Sequence, residues 1–136
     1  MPPSHFDTLT DARNHFKDLL DAAESGRPAS VRRDQFQGAV VDGARLRHFL
    51  GALLPHSAEM VHEAGGWSIF LPGLPIAADG ATVDDAMDEM VQALREYAAD
   101  WAEHLLHAPN HQDSWGLVQF IALSSDEQLK GWLTGR

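Results

Sequence analysis

The sequence predicts an α+β protein with two domains, residues 1–54 and 58–136, whose element orders are β-α-β-β-α and β-β-β-α-β-α. Short β-prone runs alternate with longer segments in which apolar residues recur every three to four positions, as on one face of a helix. Pro55-His56-Ser57 interrupts this pattern near the middle of the chain. The charge distribution changes nearby. Residues 1–50 carry seven basic and seven acidic residues, whereas residues 51–136 carry three basic and 13 acidic residues. We therefore expect two modules with different partners.

The first domain is predicted to begin with a short extended segment, residues 5–9, and a helix over residues 11–25. Thr10 is a favourable N-cap for this helix, because its hydroxyl can accept a hydrogen bond from a free backbone N–H group. The apolar face of the helix consists of Ala12, Phe16, Leu19, Leu20 and Ala23. Gly26 and Pro28 are typical of the end of a helix.

Two strands, residues 29–33 and 37–41, are predicted to follow as a hairpin with a tight turn. Asp42 is suited to cap a second helix. The apolar positions of that helix are Ala44, Leu46, Phe49 and Leu50. These elements complete the predicted order of the first domain.

Short motifs stand in a fixed order along this domain. They are Leu9-Thr10-Asp11-Ala12-Arg13, Leu19-Leu20, the Gly26 stop, Val31-Arg32-Arg33, Gly38-Ala39-Val40-Val41 and Leu46. With these motifs, residues 6–50 resemble the N-terminal domain of the Phd/YefM antitoxins. The resemblance implies a domain that dimerises and binds operator DNA, with Arg13 and Arg33 at positions that contact the DNA. The family usually has glycine in the hairpin turn where this chain has Phe36.

The candidate DNA-binding residues of this domain are Arg13, Lys17, Arg32 and Arg33. Guanidinium groups bind phosphates as forked donors and pair with base edges through two hydrogen bonds. We expect Arg13 in the first turn of the helix, where the helix dipole also favours phosphate. Arg32 and Arg33 alternate along a strand, so only one of them can point toward the core. The alternative is that these side chains are solvated surface residues.

The second domain is predicted to begin with a hairpin whose strands, residues 58–63 and 67–71, flank Ala64-Gly65-Gly66. Pro72-Gly73-Leu74-Pro75 then turns the chain into a third short strand, residues 76–78. These strands precede the long helix of the domain.

Thr82 is predicted to cap this helix, which covers residues 83–107, and Asp85 makes a variant of the capping box. One face carries an apolar stripe: Val83, Met87, Met90, Leu94, Tyr97, Trp101 and Leu105. The opposite face is acidic and carries Asp85, Asp88, Glu89, Glu96, Asp100 and Glu103. Pro109-Asn110 ends the helix, and residues 115–123 are predicted as a strand. A last helix, capped by Ser124 or Ser125, carries Leu129, Trp132 and Leu133.

A second set of motifs lies in this domain. It consists of Gly65-Gly66-Trp67, Leu71-Pro72-Gly73-Leu74-Pro75, Asp79-Gly80-Ala81-Thr82, Asp84-Asp85-Ala86, Ala93-Leu94 and Tyr97. With these motifs, residues 63–107 resemble the HicB-type antitoxins. The resemblance implies a partly ribonuclease-H-like fold that binds and blocks a toxin. The family usually has glycine where this chain has Ile76, and no paired acidic residues on the strands indicate a nuclease centre.

The candidate toxin-binding residues are Trp67, Asp85, Asp88, Glu89, Glu96 and Trp115. Toxins that cut or bind RNA tend to be basic, so an acidic domain complements such a partner. The two tryptophans are candidate anchors of the interface, since buried aromatic residues carry much of the binding energy. In the alternative interpretation, the tryptophans belong to the core and the acidic face is only solvated.

Three of the eight histidines, His104, His107 and His111, lie at spacings that zinc ligands can have. No HExxH motif accompanies them, and the absence of cysteine excludes disulfides, cysteine–zinc sites and thiol catalysis. Gly-x-Ser-x-Gly, P-loop and Gly-x-Gly-x-x-Gly motifs are also absent from the sequence. We therefore expect surface histidines, no metal, no cofactor and no catalytic residue.

Together these features predict an antitoxin of a type II toxin–antitoxin system. It is expected to neutralise a basic cognate toxin by direct binding, and to repress its own operon by binding operator DNA as a homodimer or higher even oligomer. A cytoplasmic location without membrane contact is expected, because the longest uncharged run, residues 64–78, is short and contains two prolines. Two alternatives stay open: a ligand-responsive transcription regulator without a toxin partner, and a His-dependent metal hydrolase.

Overall fold

The computed structural model describes residues 3–54 and 58–135, and over these ranges the chain forms six α-helices and two three-stranded sheets. This confirms the mixed α+β class. The chain divides into two compact units, Met1–Leu46 (the N-terminal unit) and Arg47–Arg136 (the C-terminal unit). The predicted boundary at Pro55-His56-Ser57 lies outside the described residues. Within those residues, no helix is both long enough and apolar enough to cross a bilayer.

The N-terminal unit is a small sheet packed against helices. Its elements are β1 (His5–Phe6), α1 (Leu9–Asn14), α2 (Phe16–Glu24), β2 (Ser30–Arg33), β3 (Phe36–Ala39) and the first residues of α3 (Gly43–Leu53). The sheet order is β1-β2-β3, with β1 parallel and β3 antiparallel to β2. Its core consists of Phe6, Ala12, Leu19, Ala22 and Ala29.

The first helix differs from its prediction, because two helices replace the single one expected over residues 11–25. Thr8, rather than Thr10, caps α1: its hydroxyl accepts a hydrogen bond from the Asp11 backbone N–H at 3.1 Å. The chain leaves helical geometry at His15, whose φ of −123° and ψ of 29° separate α1 from α2. The His15 ring stacks on the buried Phe6 ring, with centroids 5.2 Å apart, so a tertiary contact accompanies the break.

The hairpin of this unit turns without a glycine. Arg33 pairs with Phe36 across the two strands, so the turn consists of Asp34 and Gln35. Asp34 adopts a φ of 55°, in the left-handed region that aspartate tolerates better than most residues. Phe36 is therefore the first residue of β3, and its position does not require glycine.

The C-terminal unit contains a second sheet, the rest of α3 and three further α-helices. Its remaining elements are β4 (Glu59–Glu63), β5 (Gly66–Phe70), β6 (Ala77–Gly80), α4 (Val83–Asp100), α5 (Trp115–Leu123) and α6 (Asp126–Leu133). The sheet is antiparallel in the order β4-β5-β6. Helix α4 packs against β5 and β6, and α5 and α6 pack against α4. The most deeply buried side chains are Ile69, Met90, Leu94, Phe120, Ile121, Leu129 and Leu133.

Glycine allows β6 and the start of α4 to approach closely. A Cβ atom at Gly80 would lie 2.7 Å from the Asp85 carbonyl carbon and 2.8 Å from the Ala86 Cα atom. Thr82 caps α4 as predicted, since its hydroxyl accepts a hydrogen bond from the Asp85 N–H at 3.1 Å. Over Gly80 to Thr82 the chain therefore passes from β6 to α4 with the two backbones in close contact.

The predicted strand over residues 115–123 is wrong, because this segment is helix α5. The order of the second domain is consequently β-β-β-α-α-α over the described residues rather than β-β-β-α-β-α. The segment is an almost continuous apolar run, and such a run has neither the period of a strand nor that of an amphipathic helix. Four of its residues are buried: Leu117, Val118, Phe120 and Ile121. The predicted helix over residues 83–107 is also shorter, since α4 ends at Asp100 and a π-helical turn, Trp101–Leu105, follows it.

Candidate functional site

The four candidate DNA-binding residues are all exposed side chains of the N-terminal unit. Arg13 lies on α1, Lys17 on α2, and Arg32 and Arg33 on β2. Arg13 occupies the last turn of α1, not the first as expected, because the helix begins at Leu9. At that end the helix dipole favours the guanidinium group itself, so it adds no attraction for phosphate.

Lys17 is partly neutralised by a neighbour on its own helix. Its Nζ atom lies 2.7 Å from the Asp21 Oδ2 atom, one helical turn away. The hydrogen bond to Asp21 and the attraction of its charge raise the pKa of Lys17 above its ordinary value. Lys17 is fully protonated at neutral pH, but part of its field is cancelled locally.

Arg32 and Arg33 stand at the turn end of the hairpin. Both are exposed, so neither points into the core. The guanidinium carbon of Arg33 lies 5.8 Å from the centre of the Phe36 ring, at the distance of a cation–π contact. The hairpin thus presents two guanidinium groups on a strand, and an aromatic ring supports one of them.

The N-terminal unit also exposes large apolar side chains that the helical pattern assigned to its core. Phe16 and Leu20 are exposed by 54% and 47%. Phe16 and Leu20 lie one turn apart on α2, whereas Leu19, Ala22 and Ala23 of that helix are buried. We call Phe16 and Leu20 the exposed apolar patch. The pattern alone does not separate these two faces, because both carry apolar residues.

On the C-terminal unit, the carboxylates of the acidic face of α4 are exposed to solvent. Asp85, Glu89 and Glu96 are exposed and, among the described residues, form no ion pair. Asp88 differs, because its Oδ1 atom lies 2.6 Å from the Nζ atom of Lys130 on α6. That hydrogen bond and the charge of Asp88 raise the pKa of Lys130, against a smaller lowering by burial.

Neither candidate tryptophan belongs to the deeply buried core. Trp67 is half-buried on β5, and its ring stacks on that of His62 with centroids 4.5 Å apart. Trp115 begins α5 and is 52% exposed. The buried tryptophans are Trp101 and Trp132. Trp67 and Trp115 are therefore both available for contact with a partner.

Two of the three histidines after α4, His104 and His111, contact protein groups. The His104 ring lies 3.0 Å from a carboxylate oxygen of Asp100. The His111 Nδ1 atom lies 3.0 Å from the Tyr97 hydroxyl, and the His111 carbonyl accepts a hydrogen bond from the Trp101 indole at 2.8 Å. Among the residues that the structure describes, no group of three or more His, Cys, Asp or Glu residues could hold a metal ion.

Sequence patterns missed a further surface, the outer edge of β4. All five residues of this strand are exposed. It pairs with β5 on one side, and within the described part of the chain no strand pairs with its other side. The strand itself is predicted from the sequence over residues 58–63, but periodicity does not distinguish an edge strand from a central one.

Comparisons with known proteins identify the family and a shared fold. A family model described as PHD-like, antitoxin of toxin-antitoxin, RelE / RelB, TA system, matches residues 5–133. The crystal structure of the antitoxin part of a proposed toxin/antitoxin system from Syntrophomonas wolfei superposes with a TM-score of 0.76. The match covers 93% of this chain and 94% of that chain at 21% sequence identity, and at this identity it shows a shared fold. No curated protein matches the chain.

Proposed function

The chain belongs to the PHD-like family of toxin–antitoxin antitoxins, and from this premise we propose that it neutralises a cognate toxin by direct binding and represses its own operon. The observation that carries the antitoxin role is the family match over residues 5–133. Family membership implies a non-enzymatic, regulatory role. It favours neither a ligand-responsive regulator without a toxin nor a metal hydrolase.

In this proposal the N-terminal unit is a Phd/YefM-like domain that binds operator DNA. Arg32 and Arg33 are the principal ligands, because a strand holds both exposed guanidinium groups. Arg13 contributes from α1, and Lys17 contributes less because of its ion pair with Asp21. Exposed basic side chains on regular elements support this assignment, since DNA contacts are made mostly by such groups.

We also propose that the exposed apolar patch is covered by a second copy of the chain. Large apolar side chains grouped on one surface of a small unit commonly mark an interface. A two-fold dimer would place two sets of DNA ligands in symmetric positions and would suit a palindromic operator. The same dimer can build the higher even oligomers expected from the sequence.

The C-terminal unit is proposed as the HicB-like, toxin-binding domain. Asp85, Glu89 and Glu96, which pair with no described residue, supply negative charge that attracts a basic toxin. Trp67 and Trp115 supply aromatic surface for the contact itself. Asp88 belongs to this set by position, but its ion pair with Lys130 lowers its availability.

Coexpression tests the antitoxin role directly. The product of the adjacent reading frame is expressed alone and then together with this full-length chain. Growth arrest in the first case, relief in the second and copurification of the two proteins are the expected results. Continued arrest during coexpression, with both proteins present and soluble, would show that this chain does not neutralise that product.

A second measurement addresses repression. Purified full-length chain is titrated onto a DNA duplex that contains the promoter region of its own operon. Specific retardation, competed by the same duplex but not by unrelated DNA, is expected. Equal binding to both duplexes would contradict operator recognition while leaving toxin neutralisation intact.

A further inference from the structure

Among the described residues, nothing pairs with the outer backbone edge of strand β4 in the C-terminal unit. It forms one border of the β4-β5-β6 sheet, and all five of its residues are exposed. Exposed edges of this kind are templates for pairing with another chain, and proteins commonly shorten, cover or charge them. Here two charged residues, Glu59 and Glu63, stand at the two ends of the strand.

The hairpin geometry indicates which backbone groups point outward. Glu63 pairs with Gly66 across a two-residue turn, Ala64-Gly65, in which Gly65 has a φ of +88°. In such a hairpin the closing pair exchanges hydrogen bonds, and the bonded and non-bonded pairs alternate along an antiparallel ladder. The N–H and C=O groups of Met60 and His62 therefore point away from β5.

Pairing with a second copy of β4 is electrostatically disfavoured. An antiparallel pair centred on Val61 would place each Glu59 directly opposite a Glu63. Like charges in directly opposed positions destabilise a strand pair. The charged ends thus discourage self-association and favour a partner strand with positive charges at the matching positions.

The side chains of β4 indicate which residue types a partner strand should carry. Glu59, Val61 and Glu63 share one face, because side chains alternate along a strand. Val61 is 38% exposed between the two carboxylates. On the same face, Ser68 of β5 donates a hydrogen bond to Asp79 of β6 at 2.6 Å, which adds a third carboxylate. The face is acidic with an apolar centre.

We propose that the cognate toxin adds an extended segment to the outer edge of β4, and that this segment carries the pattern basic-x-apolar-x-basic. The two basic side chains lie opposite Glu59 and Glu63, the apolar one lies opposite Val61, and backbone hydrogen bonds join Met60 and His62. This inference rests on the proposed function, since it assigns the surface through which the toxin is bound.

Paired substitutions at Met60 isolate the backbone contribution. Met60→Pro and Met60→Ala both remove the thioether side chain, but only proline removes the outward N–H group. Proline is tolerated on an edge strand when its N–H would face outward. The full-length variants are titrated with the purified product of the adjacent reading frame, and Met60→Pro is expected to bind about tenfold more weakly than Met60→Ala.

Hydrogen exchange on the wild-type complex provides evidence that does not depend on a variant folding. The Met60 and His62 amides are expected to exchange more slowly in the complex than in the free chain. A Glu59→Lys, Glu63→Lys double variant is expected to weaken the complex further, because it opposes like charges. Circular dichroism of each variant checks that the sheet is retained.

The outcomes separate this inference from the proposed function. If the wild-type chain neutralises the toxin, but the two Met60 variants bind equally and neither amide is protected, the edge is not the docking surface. If β4 substitutions change the oligomeric state of the free chain in sedimentation, the occupant is a second copy and the inference is overturned. If the wild-type chain neither binds nor neutralises the toxin, both proposals fail.

Discussion

At the scale of single residues, Gly80 makes the clearest stability prediction. Gly80→Ala would push a Cβ atom against the backbone of Asp85 and Ala86, which cannot move as a side chain can. We expect the variant to lose about 2–3 kcal/mol in the free energy of unfolding of the C-terminal unit. Urea titration followed by tryptophan fluorescence reports on this unit, because all four tryptophans lie in it.

Gly116 provides the matched control. A Cβ atom there would meet only the Leu50 Cδ2 atom, at 3.6 Å, and the residue lies inside α5. Gly116→Ala is expected to be neutral or to stabilise the unit by roughly 0.5–1 kcal/mol, since alanine favours the helix. Equal destabilisation by both substitutions would contradict the close-approach explanation for Gly80.

The caps show which single-residue features the sequence could predict. Thr82 was identifiable, and Ser125 was one of two candidate caps, because a cap hydroxyl accepts a hydrogen bond from a backbone N–H three residues ahead, as both do here. Arg95 was not identifiable, although its guanidinium donates to the carbonyls of Ile121 and Ser124 at 2.6 and 2.7 Å. Those acceptors are 26 and 29 positions away, and no local pattern encodes their proximity.

At the scale of elements, the wrong prediction of a strand where α5 lies has the same origin: the local sequence does not determine the structure, and tertiary contacts do. Where polar and apolar residues alternate with a clear period, as in α4, the predicted helix has the correct start and the correct buried face. Residues 115–123 lack that contrast, and packing against α4 decides their conformation. The exposed apolar patch has the same cause, because composition could not show which apolar face of α2 the sheet covers.

The hairpin β2-β3 carries the prediction for DNA binding. Arg33→Ala is expected to weaken operator binding by about 1–3 kcal/mol, and to lower the slope of log affinity against log salt by about 1 if a phosphate contact is lost. Lys130→Ala in the C-terminal unit removes the same charge and is expected to leave operator affinity unchanged. An equal loss in both variants, measured by fluorescence anisotropy, would indicate a net-charge effect rather than a contact.

Helix α2 carries the prediction for self-association. A Phe16→Asp, Leu20→Asp double variant places two charges in the exposed apolar patch without touching the buried face of the helix. We expect sedimentation velocity to show monomers where the wild type forms dimers, because burying unpaired carboxylates is costly. Phe36→Asp, on the hairpin, is the control and should retain the dimer. Dissociation by the control but not by the double variant would place the interface on β3.

At the scale of the whole molecule, the dominant feature is that a net charge of −10 is concentrated after residue 50. Such a distribution acts on the encounter with a charged partner more than on the fold, because the field extends beyond individual contacts. Three exposed carboxylates of the acidic face of α4, Asp85, Glu89 and Glu96, form no ion pair with any described residue, and changing them is the most direct way to alter this charge distribution.

We expect a triple variant, Asp85→Asn, Glu89→Gln and Glu96→Gln, to associate with the basic toxin roughly tenfold more slowly at low salt. Its dissociation rate should change little, because solvated charges steer encounters without holding the complex. The difference should vanish near 1 M salt, where the screening length is about 3 Å. A control with Asp7→Asn, Asp11→Asn and Glu24→Gln changes net charge equally but in the N-terminal unit. Equal slowing of both variants in stopped-flow measurements would attribute steering to total charge and remove the special role of the α4 face.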